Sequence, residues 1–220
     1  IRKKDDPASL VNRANLPAMC GECHGGIKTQ YSSGVHGAAF DGGNKKAPVC
    51  ADCHTAHSEL PKRDPRSTVN RANIASTCAK CHRGIYERFT GSVHSPAVTG
   101  PEKKLPACVD CHSAHTIQRT DITDFRLHIM DQCGKCHQEI TERYFDTYHG
   151  KVSRLGYLKT AKCYDCHGAH EIRRISDPQS TLSRGNIVKT CAKCHPGSNR
   201  RFAGYLTHAT HHDPDKYPLL

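Results

Sequence analysis

Apolar positions along the chain show no convincing strand-like alternation. No run approaches the roughly 18 apolar residues that cross a bilayer. Proline and glycine punctuate the sequence instead, at Pro48, Pro61, Pro65, Pro96, Pro101, Pro106 and Pro178 among others, predicting short helices joined by loops. Helix is predicted from Cys20–Cys23 onward through Tyr31, at Ile85–Thr90 and at Glu139–Thr147. The expected fold is therefore mostly irregular with short α-helices, essentially without β-sheet. Hydrophobic residues make up 36% of the 220, a figure that includes 14 cysteines. Without them roughly 30% remains, against a usual apolar share of about 45–50% with glycine included. Mean hydropathy is −0.67. Side chains alone do not fill a core at this composition.

All 14 cysteines fall into seven C-x-x-C pairs, each followed at once by histidine. The pairs are Cys20/Cys23, Cys50/Cys53, Cys78/Cys81, Cys108/Cys111, Cys133/Cys136, Cys163/Cys166 and Cys191/Cys194. The histidines that follow are His24, His54, His82, His112, His137, His167 and His195. C-x-x-C-H is the attachment signature of c-type haem. Cysteines at i and i+3 of one helical turn share a face, so both sulfurs can form thioethers along one porphyrin edge while the next histidine ligates iron. A zinc ribbon needs four ligands per metal and gives no reason for the recurring histidine. A thioredoxin-like pair needs a βαβ setting, and a disulfide scaffold leaves the histidines unexplained. Seven covalently held haems are the expectation, as the core that composition lacks. Without them the chain should not fold.

The motifs, numbered here as units 1 to 7, start 30, 28, 30, 25, 30 and 28 residues apart, so two kinds of unit alternate. Odd units follow a lead such as Asn12-Arg-Ala-Asn-Leu16, Asn70-Arg-Ala-Asn-Ile74 or Ser183-Arg-Gly-Asn-Ile187; unit 5 has Phe125-Arg-Leu-His-Ile129 there. Each odd motif is followed, 16 or 17 residues after its first cysteine, by a second histidine: His36, His94, His149 and His208. Even units carry theirs three residues after the motif histidine, as His57, His115 and His170. One elongated unit over residues 1–220 is expected, with pseudo-repeats 12–69, 70–121, 122–182 and 183–220.

Seventeen histidines less the seven of the motifs leave ten for seven distal positions. The only methionines, Met19 and Met130, both lie just before a motif. Bis-histidine ligation is expected, and with it low potentials, since methionine ligation raises them. A histidine three residues beyond a proximal ligand cannot easily reach the opposite face of the same haem. The preferred assignment is reciprocal within each pair of units: His57, His115 and His170 serve haems 1, 3 and 5, while His36, His94 and His149 serve haems 2, 4 and 6. Haem 7 is left to His208, His211, His212 or a histidine of another chain. The alternative sends the i+3 histidines forward and leaves haem 1 short. His128, which replaces a lead asparagine, is expected to cap or hydrogen-bond locally, and His211 and His212 to be solvated; all three are also alternative distal ligands.

The formal charge of +11 is a nucleic-acid signal in many chains. Haem propionates change this arithmetic, bringing the oxidised holoprotein to about +4 and the reduced one to about −3. Aromatic residues do not interleave with the basic ones as a stacking surface needs, and nucleic acid is not an expected partner. Residues 12 to 212 resemble the multihaem c-type cytochromes with doubled C-x-x-C-H motifs, relatives of the class III cytochromes; Ser-Val-His94 and Cys108-Val-Asp-Cys111-His112-Ser-Ala-His115 carry the match. The resemblance implies an extracytoplasmic location, in the periplasm or outside the cell, closely stacked bis-histidine haems, and electron transfer among them. It covers periplasmic carriers as well as extracellular filaments, so the expected partners are other redox proteins or copies of the chain itself, with an axial histidine given in trans as one form of contact. The odd haem count departs from strict doubling. The apolar ending Asp213-Pro-Asp-Lys-Tyr-Pro-Leu-Leu220 is expected to be a docking tail or the edge of a segment of a longer precursor. Membrane association is expected only through a partner or such a segment. A non-catalytic electron conduit is the leading expectation, with a filament subunit as its most specific form. A periplasmic subunit of a membrane quinol-oxidising complex comes next. An oxyanion reductase, which needs an open iron, comes last.

Overall fold

The computed structural model describes residues 2–204 and 208. Among them are fourteen α-helices and no strand: α1 Leu16–Gly21, α2 Gly25–Ser33, α3 Val35–Asp41, α4 Cys50–His54, α5 Ile74–Ala79, α6 Arg83–Thr90, α7 Pro96–Thr99, α8 Cys108–His112, α9 Thr123–Gly134, α10 Gln138–Asp146, α11 Tyr148–Arg154, α12 Cys163–His167, α13 Ile187–Ala192 and α14 Arg200–Ala203. No described helix is long and apolar enough to cross a membrane. The chain divides into two compact units, one of Ile1–Tyr86 with Pro106–Arg119 and one of Glu87–Leu105 with Thr120–Leu220. Their boundaries cut across the sequence repeats.

Odd and even motifs are built differently. Each even motif is itself a five-residue helix, as in α4, α8 and α12. Its aspartate, at the third helical position, accepts a hydrogen bond from the backbone N–H just before the helix: Val49 to Asp52 (2.7 Å), Ala107 to Asp110 (2.6 Å) and Lys162 to Asp165 (2.8 Å). That N–H has no partner inside the helix, and the carboxylate also suits the positive end of the helix dipole. Odd motifs straddle a break. In unit 1, Cys20 sits near the end of α1 and His24, at φ −113° and ψ 44°, opens α2. The continuous helix predicted from Cys20 through Tyr31 is therefore two helices, because the backbone at His24 leaves the helical region. The predicted Ile85–Thr90 and Glu139–Thr147 correspond to α6 and α10, each starting one or two residues earlier and α10 ending one earlier.

The odd-unit leads owe their shape to polar side chains. Asp6, Asp64 and Asp177 each accept from the backbone N–H two residues on, and Asn15, Asn73 and Asn186 each donate to two carbonyls of the same loop. Such Asx turns offer the backbone an alternative to helix. Unit 5 lacks these asparagines, and its lead is absorbed into the 12-residue helix α9.

Buried apolar side chains are few: Ala47, Val49, Ile74, Ala107, Met130 and Tyr144. Large apolar residues such as Leu10, Leu155 and Ile175 are exposed. The accessible surface is 15416 Å², against about 10,000 Å² expected of a folded monomer of this mass. The polypeptide by itself packs too loosely to close a core.

Candidate functional site

The histidines meet in twos. Ring centroids lie 6.0 Å apart for His36 and His82, 6.1 Å for His54 and His115, 6.1 Å for His94 and His137, 6.1 Å for His149 and His195, and 6.0 Å for His167 and His208. Every pair joins a motif histidine to a non-motif one. The spacing is uniform, whereas other ring neighbours scatter, from 4.9 Å for His195 and Phe202 to 6.5 Å for Tyr148 and His149. An atom bound at about 2 Å to one nitrogen of each imidazole separates two such centroids by about 6 Å. Among the described residues no three His, Cys, Asp or Glu side chains converge on a metal position. The donor set offers two opposed imidazoles per site and no more, which fits a group that brings its own four equatorial nitrogens.

The partners differ from the reciprocal assignment read from sequence. His36 meets His82 rather than His54, His94 meets His137 rather than His112, and His149 meets His195 rather than His167. His115 meets His54 rather than His82. His208, left to haem 7 by sequence, meets His167 of unit 6. His36, His94 and His149 thus reach forward by two units, His208 reaches back by one, and His115 reaches back by two. For the i+3 histidines the physical reason lies just after each even motif. Thr55, Ser113 and Gly168 have φ of 67°, 63° and 78° with ψ near 180°, a region that is essentially glycine's own. The helix therefore ends at the motif histidine, and the i+3 histidine leaves on a turned chain.

His24 and His57, expected to serve one iron, are both exposed and form no ring pair among the described residues. His112 closes α8 and is half-buried, as is His170. Burial, followed by the Arg88 charge, lowers the pKa of His170. Burial and then the facing imidazole lower it at His36, His94, His115 and His149; at His167 burial leads, followed by His208 and His137. Each is thereby held in the neutral form that ligates metals. His128 lies on α9 with Nδ1 2.9 Å from the Asp124 carbonyl and 3.1 Å from its carboxylate. That backbone contact first, and then the Asp124 charge, raise its pKa. It thus makes the local bond expected of it. His211 and His212 lie outside the described residues. Met130 is buried within α9.

No disulfide joins any of the 14 cysteines, and those of several successive motifs approach one another. The Cys20 thiol hydrogen-bonds that of Cys50, Cys78 that of Cys108, and Cys133 that of Cys163. Burial, then the Cys20 charge, pushes Cys50 up to about 11. Cys108 and Cys133, each stabilised by its partner thiol, fall to about 7. Cys53 lies in electrostatic reach of Cys81, and Cys166 of Cys191 and Cys194. The cysteines of neighbouring motifs are therefore close from the first motif through the fourth and from the fifth through the seventh.

The two cysteines of a motif share one helical turn only in the even units, where Cys50 and Cys53, Cys108 and Cys111, and Cys163 and Cys166 all lie inside α4, α8 and α12 and are half-buried. The odd units depart from that expectation. Cys20, Cys78, Cys133 and Cys191 are helical and half-buried, but Cys23, Cys81, Cys136 and Cys194 lie beyond the ends of α1, α5, α9 and α13 and are exposed. The cause is the tightened last turn. The Cys136 N–H donates to the Cys133 carbonyl three residues back, at 3.2 Å, and Cys23, Cys81 and Cys194 repeat that bond to their own first cysteines. A three-residue turn of this kind commonly closes a helix. In these four motifs the second sulfur stands at the open surface of the protein.

Several supporting residues were not singled out in the sequence. Arg13 bonds Asp52 at 2.8 Å, and Arg71 bonds Asp110 at 2.8 Å, each tying an odd lead to the even motif 39 residues on. At nearly the same spacing Arg126 reaches the Tyr164 hydroxyl, at 3.4 Å. Tyr31 and Tyr144 each donate to a carbonyl 17 residues on, that of Pro48 and of Ala161. The readable signal was the aspartate, present in even motifs and absent from odd ones. No family model, curated protein or solved structure matches the chain.

Proposed function

We propose that the chain is a non-catalytic electron conduit carrying seven c-type haems, located outside the cytoplasm and working with other redox proteins or with copies of itself, as a filament subunit. The observation that carries this reading is the recurrence of a 6.0–6.1 Å imidazole pair at five motif histidines. The paired cysteines of each motif would hold the macrocycle, and the two histidines would take its axial positions. When bound, such a group supplies reversible one-electron iron chemistry. An iron with two imidazoles has no position for a substrate, which favours transfer over catalysis. The approach of Cys20 to Cys50, Cys78 to Cys108 and Cys133 to Cys163 supports neighbouring haem edges, the arrangement that lets electrons pass along the chain. The sparse buried apolar set supports the same reading, since seven macrocycles supply the missing core. So does the exposure of Cys23, Cys81, Cys136 and Cys194, which leaves each second sulfur open to a macrocycle laid against it.

The test is expression in a host with c-type haem maturation, followed by alkaline pyridine spectroscopy of purified protein. Seven haems per chain are expected, with low-spin spectra and no carbon monoxide binding at the five paired irons. A haem-free folded protein, or high-spin iron at several of those five, overturns the proposal.

A further inference from the structure

Among the described residues Lys162 is the one lysine or arginine sealed from solvent, at 1% exposed. It immediately precedes Cys163. Its ammonium donates to the carbonyls of Leu158, at 2.8 Å, and Thr160, at 2.7 Å. Both partners are neutral. A buried charge is costly unless it is paired and hydrogen-bonded, and here the hydrogen bonds are met while no carboxylate sits on the ammonium.

The repeats show that the local fold does not require a cation at this place. The residue before the first cysteine is Val49 in unit 2 and Ala107 in unit 4, both buried and apolar. The position is equivalent in all three units, because each backbone N–H donates to its motif aspartate. In units 2 and 6 the carbonyl just before it also accepts a tyrosine hydroxyl, Tyr31 on Pro48 and Tyr144 on Ala161.

The other charges correspond. An arginine stands 39 residues before each motif aspartate. Arg13 and Arg71 pair with Asp52 and Asp110, and Arg126, bonded to Tyr164, lies in electrostatic reach of Asp165. A lysine of the next motif acts on the second cysteine in units 2 and 6, Lys80 on Cys53 and Lys193 on Cys166. Unit 6 thus has the charge set of unit 2 plus one buried cation beside its first cysteine. Burial lowers the pKa of Lys162 and the Asp165 charge opposes that; the two carbonyls accept from the charged form and favour it.

Resting on the haem reading above, we propose that Lys162 sets the potential of the unit 6 haem, making it the most readily reduced of the three even-motif haems. A fixed positive charge in a poorly screened interior favours the ferrous state, which carries one positive charge fewer than the ferric. Of these three haems, unit 6 is then where the first electron rests.

The test reduces the haem-loaded protein stepwise with dithionite, one electron per iron, and follows each haem by paramagnetic NMR assigned through its attached cysteines. In the wild type the unit 6 haem is expected to reduce before those of units 2 and 4. A unit charge about 10 Å away, at an effective dielectric of about 20, changes an equilibrium roughly tenfold. Lys162→Met is expected to lower the reduction constant of that haem about tenfold, or about 59 mV for one electron, with smaller shifts at the others. Lys162→Gln, which keeps an N–H donor for the carbonyls, is expected to do the same, and Lys162→Arg to keep the wild-type order. A unit 6 haem that reduces with or after those of units 2 and 4 in the wild type overturns the proposal. So does an unchanged potential in Lys162→Gln, which would make the lysine a tie between loop carbonyls and nothing more. Where a variant does not take up seven haems, the wild-type order alone decides. A wild type that lacks seven haems fails the electron-conduit reading itself. Seven haems with unit 6 undistinguished fail only the role of Lys162.

Discussion

Replacing Asp110 by alanine isolates what the even-motif aspartate does. Its carboxylate accepts from the Ala107 N–H at 2.6 Å and pairs with Arg71 at 2.8 Å. Ala107 is 8% exposed, so removing the carboxylate strands a buried donor, which costs about 1–3 kcal/mol. The Arg71 pair is worth less, because its side chains are 52% and 39% exposed and exposed pairs contribute about 0–1 kcal/mol. Asp110→Ala is therefore expected to cost about 2–3 kcal/mol, or roughly 5–10 °C in Tm for a chain of this size. Arg71→Ala should cost under about 1 kcal/mol. Circular dichroism melts of the two single variants and the double variant, all haem-loaded, give the cycle that separates cap from ion pair. Equal losses in the two single variants would refute the reasoning, since they would make the ion pair, not the stranded N–H, the source of the effect.

Ser113 sits at φ 63° with ψ 178°, so Ser113→Gly is expected to stabilise the haem-loaded protein by about 1 kcal/mol; a lower melting temperature contradicts the strain. Burial works against the Asp52 carboxylate, but the Arg13 guanidinium and the Val49 N–H outweigh it and hold its pKa below the usual range. A depressed carboxylate contributes stability in full above the unfolded value of about 3.9 and loses it as pH falls through the folded value. Arg13→Ala should shrink that acid-side loss, measured as melting temperature against pH, and a constant offset from wild type over the acid range counts against it. Expressed without haem attachment, the chain should give a disordered far-ultraviolet spectrum; native-like helicity in that form contradicts a haem core.

Much of the site could be read from residue order, and the part that could not has a definite cause. The seven motifs and the alternation of units follow directly from cysteine and histidine positions, and the scarcity of core residues from composition. The partner of each histidine did not, and for the i+3 histidine His115 the course depends on one backbone angle after the even motif. At Gly168 the residue type hints at a positive φ, but Thr55 and Ser113 adopt the same conformation without any such hint. An i+3 spacing read as continuing helix places His115 a turn below its own haem; the break after His112 sends it to His54 instead. The break at His24 is likewise a matter of backbone angles, φ −113° and ψ 44°, at a residue whose type carries no such hint. The same local ending carries Cys136 out of α9 while Cys133 stays within it, although both motif types present an identical cysteine spacing. The arginine–aspartate ties span 39 residues, beyond the reach of local pattern.

Which imidazoles share an iron decides between the pairing seen in the fold and the one expected from spacing. Electron density of the haem-loaded protein at a resolution that places the metals tests this directly. Iron midway between His36 and His82, and likewise between His54 and His115, is the predicted result. Iron between His36 and His54, or no iron between either pair, contradicts it.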